Sequence, residues 1–180
     1  MSNLTLLDEH LRTLHLPTML ANYRRVAEDS TEKITYLHAL AALEVDRRHE
    51  NGVRARIVAA HFPVIKTMES FDFSLQAHLP KANLLDLLDG RFIAEHVNPI
   101  LVGPTGVGKT HVLTAIGLAA CAAGYRVLFT TAAELCINLI AAKREDRLKQ
   151  RLTAYERYQL LLIDLCVVTG YVEFASRTAC

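Results

Sequence analysis

The sequence predicts an α/β fold, a parallel sheet wrapped by helices and preceded by an all-helical domain. Three features of the 180 residues carry this reading. Over the first hundred residues, apolar side chains recur at steps of three and four, the period of amphipathic helices. From Asn98 onward, short apolar runs alternate with longer helical stretches, the strand–helix–strand order of a parallel sheet. A glycine-rich stretch joins the first of those runs to the helix behind it.

Leu4, Leu7, Leu11 and Leu14 form the stripe of a first helix. Pro17 opens a second, where its missing N–H does no harm, with Met19, Leu20, Tyr23, Val26 and Ala27 as apolar positions. A polar break, EDSTEK, precedes a third helix from about Thr35, lined by Leu37, Leu40, Ala41 and Leu43. Asn51-Gly52 would end or interrupt it. The stretch HFPVIKTMESFDF is irregular, and Phe62, Phe71 and Phe73 suggest a connector pinned by aromatics onto a neighbouring surface. A short helix follows Pro80 and stops at Gly90.

Pro99–Val102 then reads as a strand, Gly103–Thr110 as a loop, and His111–Ala123 as a helix closed by Gly124. Arg126–Thr130 is a second strand. Thr131-Ala-Ala-Glu134 is a capping box, in which hydroxyl and carboxylate each satisfy an end amide. A helix to about Tyr155 follows, then a third strand at Leu160–Ile163. The expected organisation is a helical domain over 1–75, a connector over 76–97 and an α/β domain over 98–180.

Composition limits the function classes. An apolar fraction of 51% supports a true core and excludes global disorder. A net charge of +1 gives no global attraction to nucleic acid or membrane, so any basic surface must be local. The four cysteines, Cys121, Cys136, Cys166 and Cys180, form no CxxC pair. They read as small buried hydrophobes in a reducing compartment. The N-terminal stretch lacks an apolar signal core, and the most apolar run, VLTAIGLAACAAG, is too short to span a bilayer. The expected location is cytoplasmic, with no membrane contact.

The residues GPTGVGKT match G-x-x-x-x-G-K-[ST] in full. Gly103, Gly106 and Gly108 allow the tight turn that points consecutive amides inward as an anion nest. Pro104, Thr105 and Val107 complete the cradle. Lys109 is placed to reach the β and γ phosphates and Thr110 to ligate Mg2+. The helix behind adds its positive end. The motif sits between an apolar run and a helix, the context it requires, and points to ATP or GTP. At the edge of the third apolar run stands Asp164, which would hold Mg2+ through water; the plainer alternative is an ordinary strand-end aspartate. The next residue, where an ATP-hydrolysing enzyme places a second acid, is Leu165.

The run NPILVGPTGVGKTH, with FTTAAEL and IKTMESFDF, resembles the IstB-type ATPases, helper proteins of insertion-sequence transposases and AAA+ relatives of the DnaC helicase loader. The resemblance covers residues 1–164. It implies an AAA+ P-loop core, ATP with Mg2+, assembly into homo-oligomers, DNA binding, and service to the transposase of the same element. It makes the helical domain the DNA- or partner-binding part. In that family a catalytic glutamate directly follows the Asp164 position, as I-D-E-L-G-Y. Here the sequence is I-D-L-C-V-V-T-G-Y, with Gly170-Tyr171-Val172 resembling the family's continuation displaced downstream. Glu173 is too distant along the chain to be assumed a substitute.

The expectation is therefore an ATPase core incomplete at its C-terminus, truncated after the third strand. It would lack the sensor-bearing strand and the arginine finger, and show weak or absent turnover. The family's sheet order puts a fourth strand between the first and third, so ILV and LLLI would face a gap. Two other readings stand beside this one: a DnaC-like replicative helicase loader and a non-functional remnant of a mobile element.

Weaker signals have two readings each. Arg47, Arg48, Arg54 and Arg56 are DNA phosphate contacts or a solvated face shared with Glu44, Asp46 and Glu50. The mixed run from Lys143 to Arg157 has the same alternatives. His111 lies near the nucleotide or simply packs.

Overall fold

The computed structural model describes residues 3–29, 32–73 and 81–165. The chain divides into two compact units, Met1–Arg54 and Ala55–Cys180.

The first unit contains α1 (Asn3–Thr13), α2 (Pro17–Asp29) and most of α3 (Lys33–Ala59). Its core joins Leu11, Tyr23, Val26 and Leu40, with Met19, Leu20 and Leu43 packed against them. Of the apolar face expected of α2, Tyr23 and Val26 are buried and Met19 and Leu20 half-buried, while Ala27 is exposed. The α1 stripe is not buried throughout: Leu11 enters the core, while Leu4, Leu7 and Leu14 stay exposed, as does Leu37 of α3. Asn51-Gly52 does not end α3, which continues to Ala59. A glycine inside a helix costs about 1 kcal/mol, and the turn beyond it carries Ile57, which packs into the core of the second unit.

Sequence alone does not reveal the role of Glu44. It is only 5% exposed, and its Oε2 accepts from the Thr18 and Met19 amides at 3.1 and 3.2 Å. Those are first-turn amides of α2, which have no partner within their own helix. Its other oxygen accepts from Arg48 Nε at 3.1 Å, and Arg48 also donates to the His15 carbonyl. Glu44→Ala should therefore destabilise the first unit by about 2 kcal/mol, the scale of hydrogen bonds to a charged group. A urea melt followed by helical circular dichroism reads this; an unchanged midpoint would contradict it.

The second unit opens with a connector carrying one 3₁₀ turn, Met68–Ser70, then α4 (Lys81–Leu88) and the short α5 (Arg91–Ala94). Next come α6 (Lys109–Ala122), β1 (Val127–Thr131), α7 (Ala132–Arg144), α8 (Leu148–Tyr155) and β2 (Leu160–Asp164). β1 and β2 pair in parallel, from Val127 opposite Leu160 to Thr131 opposite Asp164. The predicted capping box is present: Thr131 accepts from the Glu134 amide and Glu134 accepts from the Thr131 amide. The Thr131 amide, with the threonine hydroxyl, holds the Glu134 carboxyl below its usual range. The helix expected to run to Tyr155 is broken at Asp146, which has φ +59°.

The units divide at Arg54/Ala55, ahead of the 76–97 connector suggested by the sequence. The physical reason is aromatic and apolar anchoring of residues 57–73. Ala60, Ile57 and Phe62 pack with Ala120, Cys121, Phe129 and Leu162. Met68 and Phe71 pack with Val112, Ala115 and Ile116 of α6.

Residues 97–104 form no strand, which corrects the strand read at Pro99–Val102. β1 and β2 are each other's only strand partners among the described residues. Between residues 96–101 and β2 lies a cavity of about 740 Å³, walled by Phe92, Ile93, Leu101, Leu113 and Leu162. A strand needs a neighbour for its ladder, and residues 97–104 have none there. The outer edge of β1 is met at Phe129, whose amide donates to the Ala60 carbonyl at 2.8 Å.

α6 lies very close to β2. A Cβ on Gly117 would stand 2.5 Å from the Phe62 ring and 2.6 Å from Leu162 Cδ1. Cys121 is buried as expected, and burial raises its thiol pKa. Cys136 is exposed, while Cys166 and Cys180 lie outside the described residues. No described helix is long and apolar enough to cross a membrane.

Candidate nucleotide site

Gly103–Thr110 runs from the extended segment into the first turn of α6. Gly106 and Gly108 have φ of +86° and +91°, the left-handed region that only glycine enters freely. Gly108 is doubly constrained, since a Cβ there would stand 2.7 Å from the Phe71 ring. Gly108 is the N-cap of α6, so the loop leads directly into the positive end of that helix, which suits phosphate.

Lys109 Nζ donates to the carbonyls of Gly103 and Pro104, each at 2.7 Å. The ammonium is thus held at the mouth of the loop by the loop's own backbone. To grip a phosphate it must exchange these two acceptors for phosphoryl oxygens. Thr110 Oγ1 donates to Asp164 Oδ2 at 2.8 Å, across 54 positions of sequence. The two residues predicted for Mg2+ are therefore brought together, one on the first turn of α6 and one at the end of β2. Two hard oxygen donors suit Mg2+, which takes one or two protein ligands and completes its shell with phosphate and water. Among the described residues no group of three or more His, Cys, Asp or Glu could hold a metal alone. The donor set thus fits a cation delivered with its nucleotide. Mg2+, when bound, would neutralise charge on the β and γ oxygens.

Leu165, directly after Asp164, is exposed and offers no proton acceptor. Gly170–Glu173 lies outside the described residues.

The structure also shows what sequence reasoning left open. His111 packs and bonds: its Nε2 lies 2.8 Å from the Thr67 carbonyl and 3.3 Å from Ser70 Oγ, with the Phe71 ring edge-on at 5.1 Å. Of the four arginines on α3, Arg47 pairs with Glu50 and Arg48 with Glu44. Arg56 donates to the Cys121 carbonyl at 2.8 Å. Phe71 as a wall of the loop was foreshadowed only by the aromatic cluster of the connector. Between α7 and α8 a second cavity of about 680 Å³ is lined by Arg147, Arg151 and Arg157, with Glu145, Asn138 and Gln150.

Residues 8–179 match the family of IstB-like ATP-binding proteins. The chain is 35% identical over 162 residues to a protein named as an ATP-binding protein of insertion sequence IS232 from Bacillus thuringiensis subsp. berliner, covering 88% of this chain and 65% of that one. It is 33% identical over 177 residues to the corresponding protein of IS5376 from Geobacillus stearothermophilus, covering 96% and 69%. It is 34% identical over 156 residues to that of IS21 from Pseudomonas aeruginosa, covering 87% and 57%. The chain thus spans between half and about two thirds of the length of these relatives.

Proposed function

The chain belongs to the IstB-like ATP-binding proteins, and from that membership we propose that it serves DNA transposition as an ATP- and Mg2+-binding helper with weak or absent hydrolysis. The observation that carries the binding half is the 2.8 Å contact between Thr110 and Asp164, which joins the phosphate loop to the strand-end acid. The loop amides and Lys109 would hold the phosphates, and Thr110 and Asp164 the cation. Weak turnover follows from Leu165: hydrolysis needs a group that orients the attacking water, and an exposed leucine supplies none.

DNA and the transposase of the same element are the proposed partners. The groove between α7 and α8 supports the first through Arg151 and Arg157, because phosphate backbones are gripped by clustered cations, while Arg147 beside them is paired with Glu145. The α3 arginines support it less, since Arg47, Arg48 and Arg56 are engaged within the chain.

A thermal melt with and without Mg-ATP tests the reading. At a hundredfold excess over the dissociation constant, binding should add about 2.7 kcal/mol, a clear upward shift. A melt indifferent to Mg-ATP would overturn it. Phosphate release should stay at the background of the Lys109→Ala chain, and release well above that level would overturn the hydrolysis part.

A further inference from the structure

We infer that His111 is a positioning residue, which sets the phosphate loop by pinning the connector against it. This rests on the ATP-binding reading above. The Thr67 carbonyl can only accept, so the His111 nitrogen 2.8 Å from it carries the proton and donates. The same carbonyl accepts from Ser70 Oγ at 2.8 Å and from the Ser70 amide at 3.3 Å. Three donors converge on one oxygen, and two of them, both from Ser70, belong to the 3₁₀ turn itself. The third comes from α6, one residue after Thr110. His111 is therefore what ties this turn to the phosphate-binding helix by a hydrogen bond.

The turn in its place delivers Phe71. That ring stands edge-on to His111 and fills the space where a side chain on Gly108 would be. It is buried with Met68 against Val112, Ala115 and Ile116. The path runs from His111 to Thr67, through the turn to Phe71, and from Phe71 to Gly108, whose φ of +91° aims the last amides of the loop. The path ends on the backbone of the loop at Gly108. It acts on the loop, so it should matter equally for any polyphosphate.

That distinction is the test. Binding of Mg-ATP and of Mg-tripolyphosphate would be measured by titration calorimetry on the whole chain, for the parent, His111→Ala, His111→Gln and Phe71→Leu. Trypsin cleavage after the exposed Lys66 would be followed without ligand. We expect His111→Ala to weaken both ligands by about tenfold, the equivalent of one ordinary hydrogen bond, and to speed cleavage. His111→Gln, which can still donate to Thr67, should recover most of the affinity. Phe71→Leu should weaken both ligands alike. The inference is overturned if His111→Ala binds tripolyphosphate as the parent does, if only ATP is weakened, or if the glutamine variant fails to recover. A parent chain that binds neither ligand would overturn the ATP reading instead, and the cleavage rates would then decide the pinning by themselves.

Discussion

Replacing Lys109 by alanine is expected to abolish the stabilisation by Mg-ATP, lowering affinity by at least a hundredfold. The ammonium is the only side-chain cation of the loop, and phosphate must be gripped by it together with backbone amides. Two charge-assisted hydrogen bonds lost at about 1.5–3 kcal/mol each amount to two or more decades in the binding constant. The ligand-free chain should change little in stability. Lys109 spends its two hydrogen bonds on the Gly103 and Pro104 carbonyls, one of which is exposed and can turn to water. The measurement is the pair of melts, with and without nucleotide, for both chains. A variant that still shifts with Mg-ATP would place nucleotide recognition elsewhere. One that collapses without ligand would make Lys109 a structural clamp first.

The second large effect is expected at Gly117, in the interior of α6. On helix propensity alone, Gly117→Ala should stabilise by about 1 kcal/mol. Packing predicts the opposite sign. The new methyl would meet the Phe62 ring at 2.5 and 2.7 Å and Leu162 at 2.6 Å, distances that force neighbours or backbone to move. Overpacking typically costs about 1–3 kcal/mol, so alanine should be net destabilising and Gly117→Val should lose about 3 kcal/mol. Denaturant midpoints decide it. Adding Phe62→Ala to Gly117→Ala should recover only part of the loss, because Leu162 remains in the way. A rise in midpoint for Gly117→Ala would mean α6 does not sit as close to β2 as described. The closeness has a functional side: it is what lets Thr110, two turns earlier, reach Asp164.

Where the loop and Asp164 would lie was more legible than the fold around them. A phosphate loop is written in contiguous residues, and Asp164 stands at the end of an apolar run, so both could be read from local spacing. The capping box at Thr131 and Glu134 was equally local. What failed was whatever depends on distant partners. Pro99–Val102 has the composition of a strand, but a strand exists only through a neighbour, and β2 pairs with β1. Leu4, Leu7, Leu11 and Leu14 are periodic, yet of these four only Leu11 is covered. Gly52 looked like a stop, and α3 passes through it. Asp146 in the left-handed region breaks a helix that periodicity would continue. Glu44 and Phe71 gain their roles from residues 26 and 37 positions away, beyond the reach of any local pattern.

The two edges of the described sheet are unlike, and this decides where a further strand could join it. The Ala60 carbonyl occupies the outer edge of β1 at Phe129, whereas no described residue ladders onto the far edge of β2. Unpaired strand edges are templates for other chains. Among the described residues the β1 edge has one backbone tie, and the β2 edge faces the cavity behind residues 96–101. A ladder continued past β2 would have to be built inside that cavity, so the sheet can grow there only by filling a space already walled by Phe92, Ile93 and Leu101.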